Sequence, residues 1–238
     1  GLTVGKGANA VATNTVLGVD ALDAAVTGAN NVAIGVNALT ANTSGAANTA
    51  VGSGALDTNI TGANNTAVGY LALEANTTGT ENVAIGRLAL DANTTASDNT
   101  AIGNASMSSN ITGAGNTAIG SGSLLANTTA SNNTAVGKDA LIANTTGAEN
   151  TALGYVALQD NTTGVNNVAL GRAAIGNNID GNNNSAVGHN ALRLNTTGDN
   201  NVAVGISALY NNTADNNTAV GGSALTANTT GSANTAVG

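Results

Sequence analysis

The sequence predicts an all-β fold, a parallel β-solenoid of about fourteen 17-residue coils, and three observations predict it. The phrase Asn82-Val83-Ala84-Ile85-Gly86 returns in versions opening at Asn14, Asn31, Asn48, Asn65, Asn82, Asn99, Asn116, Asn133, Asn150, Asn167, Asn184, Asn201, Asn217 and Asn234. Every step is 17 residues except the 16 from Asn201 to Asn217. A second phase of the same period is held by Leu22, Leu39, Leu56, Leu73, Leu90, Met107, Leu124, Leu141, Leu158, Ile175, Leu192, Leu209 and Leu225. Between these two phases lie glycines and Asn-Thr-Thr-Gly segments, which are turn compositions. Self-similarity at a short fixed period marks a chain built by stacking one unit on the next. A disordered Asn/Gly/Thr tract has no reason to keep Leu at one phase.

Residues 1–13 do not keep the period and are expected to form an irregular terminal coil; residues 14–238 form a single β-solenoid repeat array. From Asn14 the consensus is N-T-A-V-G-x-x-A-L-x-A-N-T-T-G-x-x, numbered below as coil positions one to seventeen. Positions two to four, as in Thr49-Ala50-Val51, alternate β-branched and small residues, the period of a strand with two different faces. Positions eight to eleven, as in Ala89-Leu90-Asp91-Ala92, are expected to form a second short extended run facing the first. The glycines between them supply positive φ for the corners. A helix is opposed by the β-branched residues, the Asn and the two Gly of each unit. The one deletion falls at Asn212-Thr213-Ala214, in a turn, where it leaves the strands in phase.

Each coil is then expected to enclose one Leu, one Val or Ile, one Thr and a few Ala. That is a thin interior, so the core ladder Leu39, Leu56, Leu73, Leu90, Met107, Leu124, Leu141 and Leu158 carries most of the burial. The small residues at positions three and five are expected to leave an exposed strip. Self-association along it would cover the strip, as a closed homotrimer first and a dimer second. The raw repeat at both ends predicts continuation of the array or end-to-end pairing with another copy.

Composition narrows function further. Three Tyr are the only aromatic residues among 238, too few for the bulky core of a globular enzyme. Cysteine and proline are absent, which removes disulfides and thiolate metal sites. A net charge of −8 with five basic residues opposes binding to nucleic acid or anionic membrane. No apolar run approaches the ~20 residues needed to span a bilayer, and the N-terminus lacks a signal-peptide pattern.

Chemistry is sought where the period is broken, because a catalytic site needs unlike groups at one place. Position twelve gives an Asn ladder, Asn42, Asn59, Asn76, Asn93, Asn110, Asn127, Asn144 and Asn161, whose amides can hydrogen-bond along the stack. The same letters spell glycosylation acceptors such as Asn76-Thr77-Thr78, a reading the ladder outweighs. Position six collects Tyr70, Arg87, Lys138, Tyr155, Arg172 and His189, a candidate outward binding row for which the solvated corner of each coil is the favoured reading. His189, the lone histidine, has no nucleophilic Ser or second metal ligand in its surroundings in sequence. Asp23, Asp57, Glu74 and Asp91 share position ten, where solvated charge is favoured over a Ca²⁺ column because the calcium-binding nonapeptide is absent. No catalytic, cofactor-binding or metal-ligating residues are therefore expected, and no cofactor.

Asn30-Asn31-Val32-Ala33-Ile34-Gly35 and Glu81-Asn82-Val83-Ala84-Ile85-Gly86 resemble the NSVAIG-type repeat of YadA-like heads in trimeric autotransporter adhesins, with related repeats in phage tail fibres. The resemblance covers residues 14–238. It implies a left-handed β-roll, a homotrimer, and a non-enzymatic adhesive or structural fibre segment binding host or matrix surfaces. It also implies an extracellular place on a bacterial cell surface, or in a virion tail fibre. The 17-residue coil and the Asn-Thr-Thr-Gly turn depart from the family's repeat, which is nearer fourteen residues, and the stalk and anchor of those adhesins are not seen. A phage tail-fibre shaft is the near alternative. A different class is an ice-binding solenoid presenting the position-two threonines, against which the interruptions Val32, Val83, Val168 and Val202 suggest an inward or interface position. An enzyme on a β-helix would need a converging acidic cluster with aromatic sugar platforms.

Overall fold

The fold is described from a computed structural model covering residues 4–6 and 11–238. It has two compact units, Gly1–Asn116 and Thr117–Gly238. In the first, β1 (Val4–Gly5) precedes β2 (Thr15–Leu17), β3 (Val32–Ile34), β4 (Thr49–Val51), β5 (Thr66–Val68), β6 (Val83–Ile85) and β7 (Thr100–Ile102). In the second lie β8 (Thr117–Ile119), β9 (Thr134–Val136), β10 (Thr151–Leu153), β11 (Val168–Leu170), β12 (Ser185–Val187), β13 (Val202–Val204), β14 (Thr218–Val220) and β15 (Thr235–Val237). No helix occurs among the described residues.

From β2 onward, neighbouring strands within each unit are parallel and one coil apart, with like residues opposed, as in Ala67↔Ala84 and Ala152↔Ala169. Each unit is thus a parallel β-solenoid, β2–β7 in the first and β8–β15 in the second, with successive strands one turn of the repeat apart. The 16-residue step is absorbed without slippage, since Val202↔Thr218 and Ala203↔Ala219 stay paired. A slip of one residue would exchange the inner and outer faces, so the register is strongly held. Of the irregular coil expected over residues 1–13, residues 1–3 and 7–10 lie outside the described set. Val4 and Gly5 pair antiparallel with Leu17 and Val16, so the open side of β2 is occupied by a strand of opposite direction.

Three expectations are corrected by the coil's cross-section. Positions eight to eleven are not extended: Ala89-Leu90-Asp91-Ala92 lies in consecutive turns, with Leu90 at φ 54°. The core leucines Leu22, Leu39, Leu56, Leu73, Leu124, Leu141, Leu158, Leu192 and Leu209, with Met107, share that left-handed backbone and are fully enclosed. A strand turns successive side chains to opposite faces, whereas here adjacent Ala89 and Leu90 are both at 0% exposure, which the reversed twist permits. The left-handed region costs a non-glycine residue about 1–2 kcal/mol, and full burial of Leu contributes roughly 1.5–3 kcal/mol. Burial wins. The turns still hydrogen-bond along the stack, as Leu90 N donates to Ser106 O at 3.0 Å and Leu73 N to Ala89 O at 3.0 Å.

The strand is inverted relative to expectation. Ala33, Ala50, Ala67, Ala84 and Ala101 in the first unit, and Ala118, Ala135, Ala152, Ala169, Ala186, Ala203 and Ala219 in the second, are fully buried. The Thr, Val or Ser before each and the Val, Ile or Leu after it face outward, as the alternating burial of β4, β6 and β10 shows. The interior of a typical coil is consequently Leu, two Ala and two Asn, smaller and more polar than expected. Position three therefore cannot form the exposed small-residue strip on which self-association was expected. Gly86 ends β6 at φ +136°, and a Cβ there would collide with the Gly103 carbonyl of the next coil, so this corner requires glycine.

Candidate binding surface

The interior fixes what the outside can present. Asn59, Asn76, Asn93 and Asn110 form the expected ladder: each Nδ2 donates to the Oδ1 one coil earlier, at 3.0, 2.7, 3.1 and 3.0 Å. In the second unit Asn144 and Asn161 continue the same pattern at 3.1 and 2.8 Å. All are at 0% exposure, which puts the Asn76-Thr77-Thr78 amide out of reach of glycosylation as folded. Sequence reasoning missed a second ladder at position one. Backbone N of Asn48, Asn65, Asn82 and Asn99 donates to the preceding Asn Oδ1 at 3.0 to 3.1 Å. The Nδ2 of Asn65 also donates to Gly79 O at 2.8 Å, the same carbonyl that accepts from Asn76 Nδ2 at 3.0 Å. The signal was present, because position one is Asn in all fourteen coils. Two amide columns thus hold the turn over each coil.

With all but two of the buried side-chain polar atoms among the described residues satisfied, the exceptions being Asp91 Oδ1 and Asn195 Oδ1, the surface is a set of columns. Positions two and four make a two-column strip of Thr, Val or Ser beside Val, Ile or Leu, with Ile85, Ile119, Leu153, Val187 and Val204 exposed. The interruptions Val32, Val83, Val168 and Val202 belong to this outward strip, not to an interior. Threonines at position thirteen line the far turn, where Thr77 Oγ1 donates to Thr94 O at 3.0 Å and Thr145 Oγ1 to Thr162 O at 3.0 Å. No concave pocket is found among the described residues.

Position six is where unlike side chains gather. Tyr70 and Arg87 stand exposed on consecutive coils of the first unit. Lys138, Tyr155, Arg172 and His189 stand exposed on four consecutive coils of the second. There the Arg172 guanidinium lies 5.9 Å from the Tyr155 ring centroid, and Arg172 Nη1 is 3.0 Å from His189 Nε2. Guanidinium only donates, so in this contact Nε2 serves as the acceptor. Lys138 Nζ lies 3.8 Å from Asp139 Oδ2, a long contact from an exposed lysine to a half-buried carboxylate at the surface, worth little in water. The structure brings together Tyr155, Arg172 and His189 and shows no such contact for Tyr70 and Arg87.

At position ten, burial raises the Asp91 carboxyl above its ordinary value of 3.8, and the neighbouring Glu74 adds to this. Asp91 Oδ1 has no hydrogen-bond partner. No group of three or more His, Asp or Glu close enough to hold a metal ion occurs among the described residues, and no helix there is long and apolar enough to cross a membrane. No protein-family model, curated protein or solved structure matches the chain.

Proposed function

We propose that the chain is a non-enzymatic structural and adhesive segment of an extracellular fibre, on a bacterial cell surface or in a virion tail fibre, working as a homotrimer. The observation that supports this most is the in-register repetition of outward columns, which places the same few side chains every ~4.8 Å along the stack. Such a surface makes many weak contacts at once, and linked contacts can raise avidity by 10²–10⁴ without a deep site. The exposed apolar strip at positions two and four is the natural face for copies to cover, replacing the alanine strip that the interior occupies.

Native mass measurement and density-graded adhesion test the reading together. Beads bearing the chain at rising density should be retained steeply more strongly on matrix-coated surfaces, and the soluble species should have three times the chain mass. Retention that ignores density, or a monomer at all concentrations, would overturn it.

The outward placement of the strip favours a second reading. Thr117, Thr134 and Thr151 oppose one another on successive strands of one face, the regular threonine spacing expected of an ice-binding surface. Thermal hysteresis at micromolar concentration would install that reading in place of the adhesive one.

A further inference from the structure

Charge is sorted on this surface in a way that adhesion in general does not require. Three of the five Lys and Arg residues, Arg87, Lys138 and Arg172, sit at position six with the lone His, and none of the thirteen Asp and Glu does. The second unit nevertheless holds six Asp or Glu against three Lys or Arg, so its cations are concentrated within a negative surround. Lys138 has Asp139 as a partner, and this is the only ion pair among the described residues. Arg172 has a ring beneath it and an imidazole beside it, both of which orient the guanidinium without neutralising it.

From this geometry we infer that Tyr155, Arg172 and His189, with Lys138 at the rim, form a binding site for the anionic groups of a sparsely charged acidic polysaccharide. The inference deepens the adhesive reading by naming its ligand, and it rests on that reading. An oriented, uncompensated guanidinium presents a fork matched to a carboxylate or sulfate. Leu153 at position four of the Tyr155 coil is exposed and adds apolar area for the sugar rings. Lys138 and Arg172 are two coils apart, roughly 10 Å at ~4.8 Å per coil. A polymer with one charge per few sugar units meets that spacing. Duplex DNA carries a charge every ~1.7 Å of axis, and its excess phosphates would face the surrounding acids.

The test is calorimetric titration of the full chain with an alternating uronate octasaccharide. A neutral oligosaccharide of equal length, sodium acetate, sodium sulfate and a short single-stranded DNA serve as competing probes. The octasaccharide should bind, Arg172→Ala should weaken it at least about tenfold by loss of a charge-assisted bond, and Arg172→Lys should fall between. Tyr155→Ala should weaken binding less, and Arg87→Ala should leave it unchanged. Equal binding by native chain and Arg172→Ala, or by the neutral oligosaccharide, overturns the inference. Saturation by acetate or sulfate with no gain for the polymer means an adventitious ion only, and tighter binding of the DNA means the wrong class of partner; either overturns it too. Density-dependent bead retention that survives with no uronate binding sinks the ligand assignment and leaves the adhesive reading standing. Loss of density dependence sinks that reading whatever the titration gives.

Discussion

Replacing Ala84 by Val and Ile85 by Thr, separately, decides which face of the strand is inside. Ala84 is fully buried and paired between Ala67 and Ala101, so two added carbons enter an interior already filled by Leu90 and Asn side chains. Overpacking of a close-packed core costs typically 1–3 kcal/mol. The strand cannot relieve it by slipping, because a slip would also turn Ile85 inward. Ile85 is 38% exposed, so Ile85→Thr removes little buried area and gives its hydroxyl access to water. Its cost should stay below about 1 kcal/mol at roughly 0.8 kcal/mol per fully buried CH₂. Repeat arrays open locally, so the measurement is native-state hydrogen exchange at Val83 and Gly86, with the assembly state of both variants fixed by native mass. Ala84→Val should speed exchange there about 5- to 150-fold, and Ile85→Thr by less than about 5-fold. The reverse order, Ala84→Val neutral and Ile85→Thr severe, would refute the outward assignment of positions two and four.

Other perturbations follow from the same coil. Asn76→Ala leaves Asn59 Oδ1 without its donor and Asn93 Nδ2 without one acceptor, at about 2–4 kcal/mol by urea denaturation; Asn76→Asp should be worse at pH 7 and relieved in acid, where a protonated carboxyl can donate. Inserting Thr between Thr213 and Ala214 restores a 17-residue step and lets Asn212 reach Asn195 Oδ1, now buried without a partner; the urea midpoint should rise, by about 1 kcal/mol of stability, and a fall would contradict the account of the deletion. Asp91 holds its proton more tightly folded than unfolded, so its share of stability is full below the ordinary value of 3.8 and is lost as pH rises through the raised folded value. Asp91→Asn should therefore raise the melting temperature at pH 7 and leave it nearly unchanged at pH 3, and an equal gain at both would remove burial as the cause.

The solenoid was legible because stacking in register imposes its period directly on the sequence: Leu90 recurs over Leu73 and under Met107, and Asn76 over Asn59, since only like residues fit the same place in successive coils. The position-six row was legible for the complementary reason, that a corner facing water accepts Tyr155, Arg172 or His189 equally. The left-handed backbone was only partly so. Asn recurs at position seventeen, as in Asn64, Asn132 and Asn166, and Asn tolerates positive φ, but Leu at position nine gives no such warning.

What the letters could not specify was the sense of the strand. Alternation of Thr, Ala and Val establishes two faces and is silent on which one closes the coil, and hydrophobicity taken alone points the wrong way. The tertiary structure decided it by volume. Two buried amide columns and a Leu in a reversed turn leave alanine at position three of every coil after the first, where Val16 is buried instead, so the branched residues of positions two and four are turned out, where they set the surface available for binding and assembly.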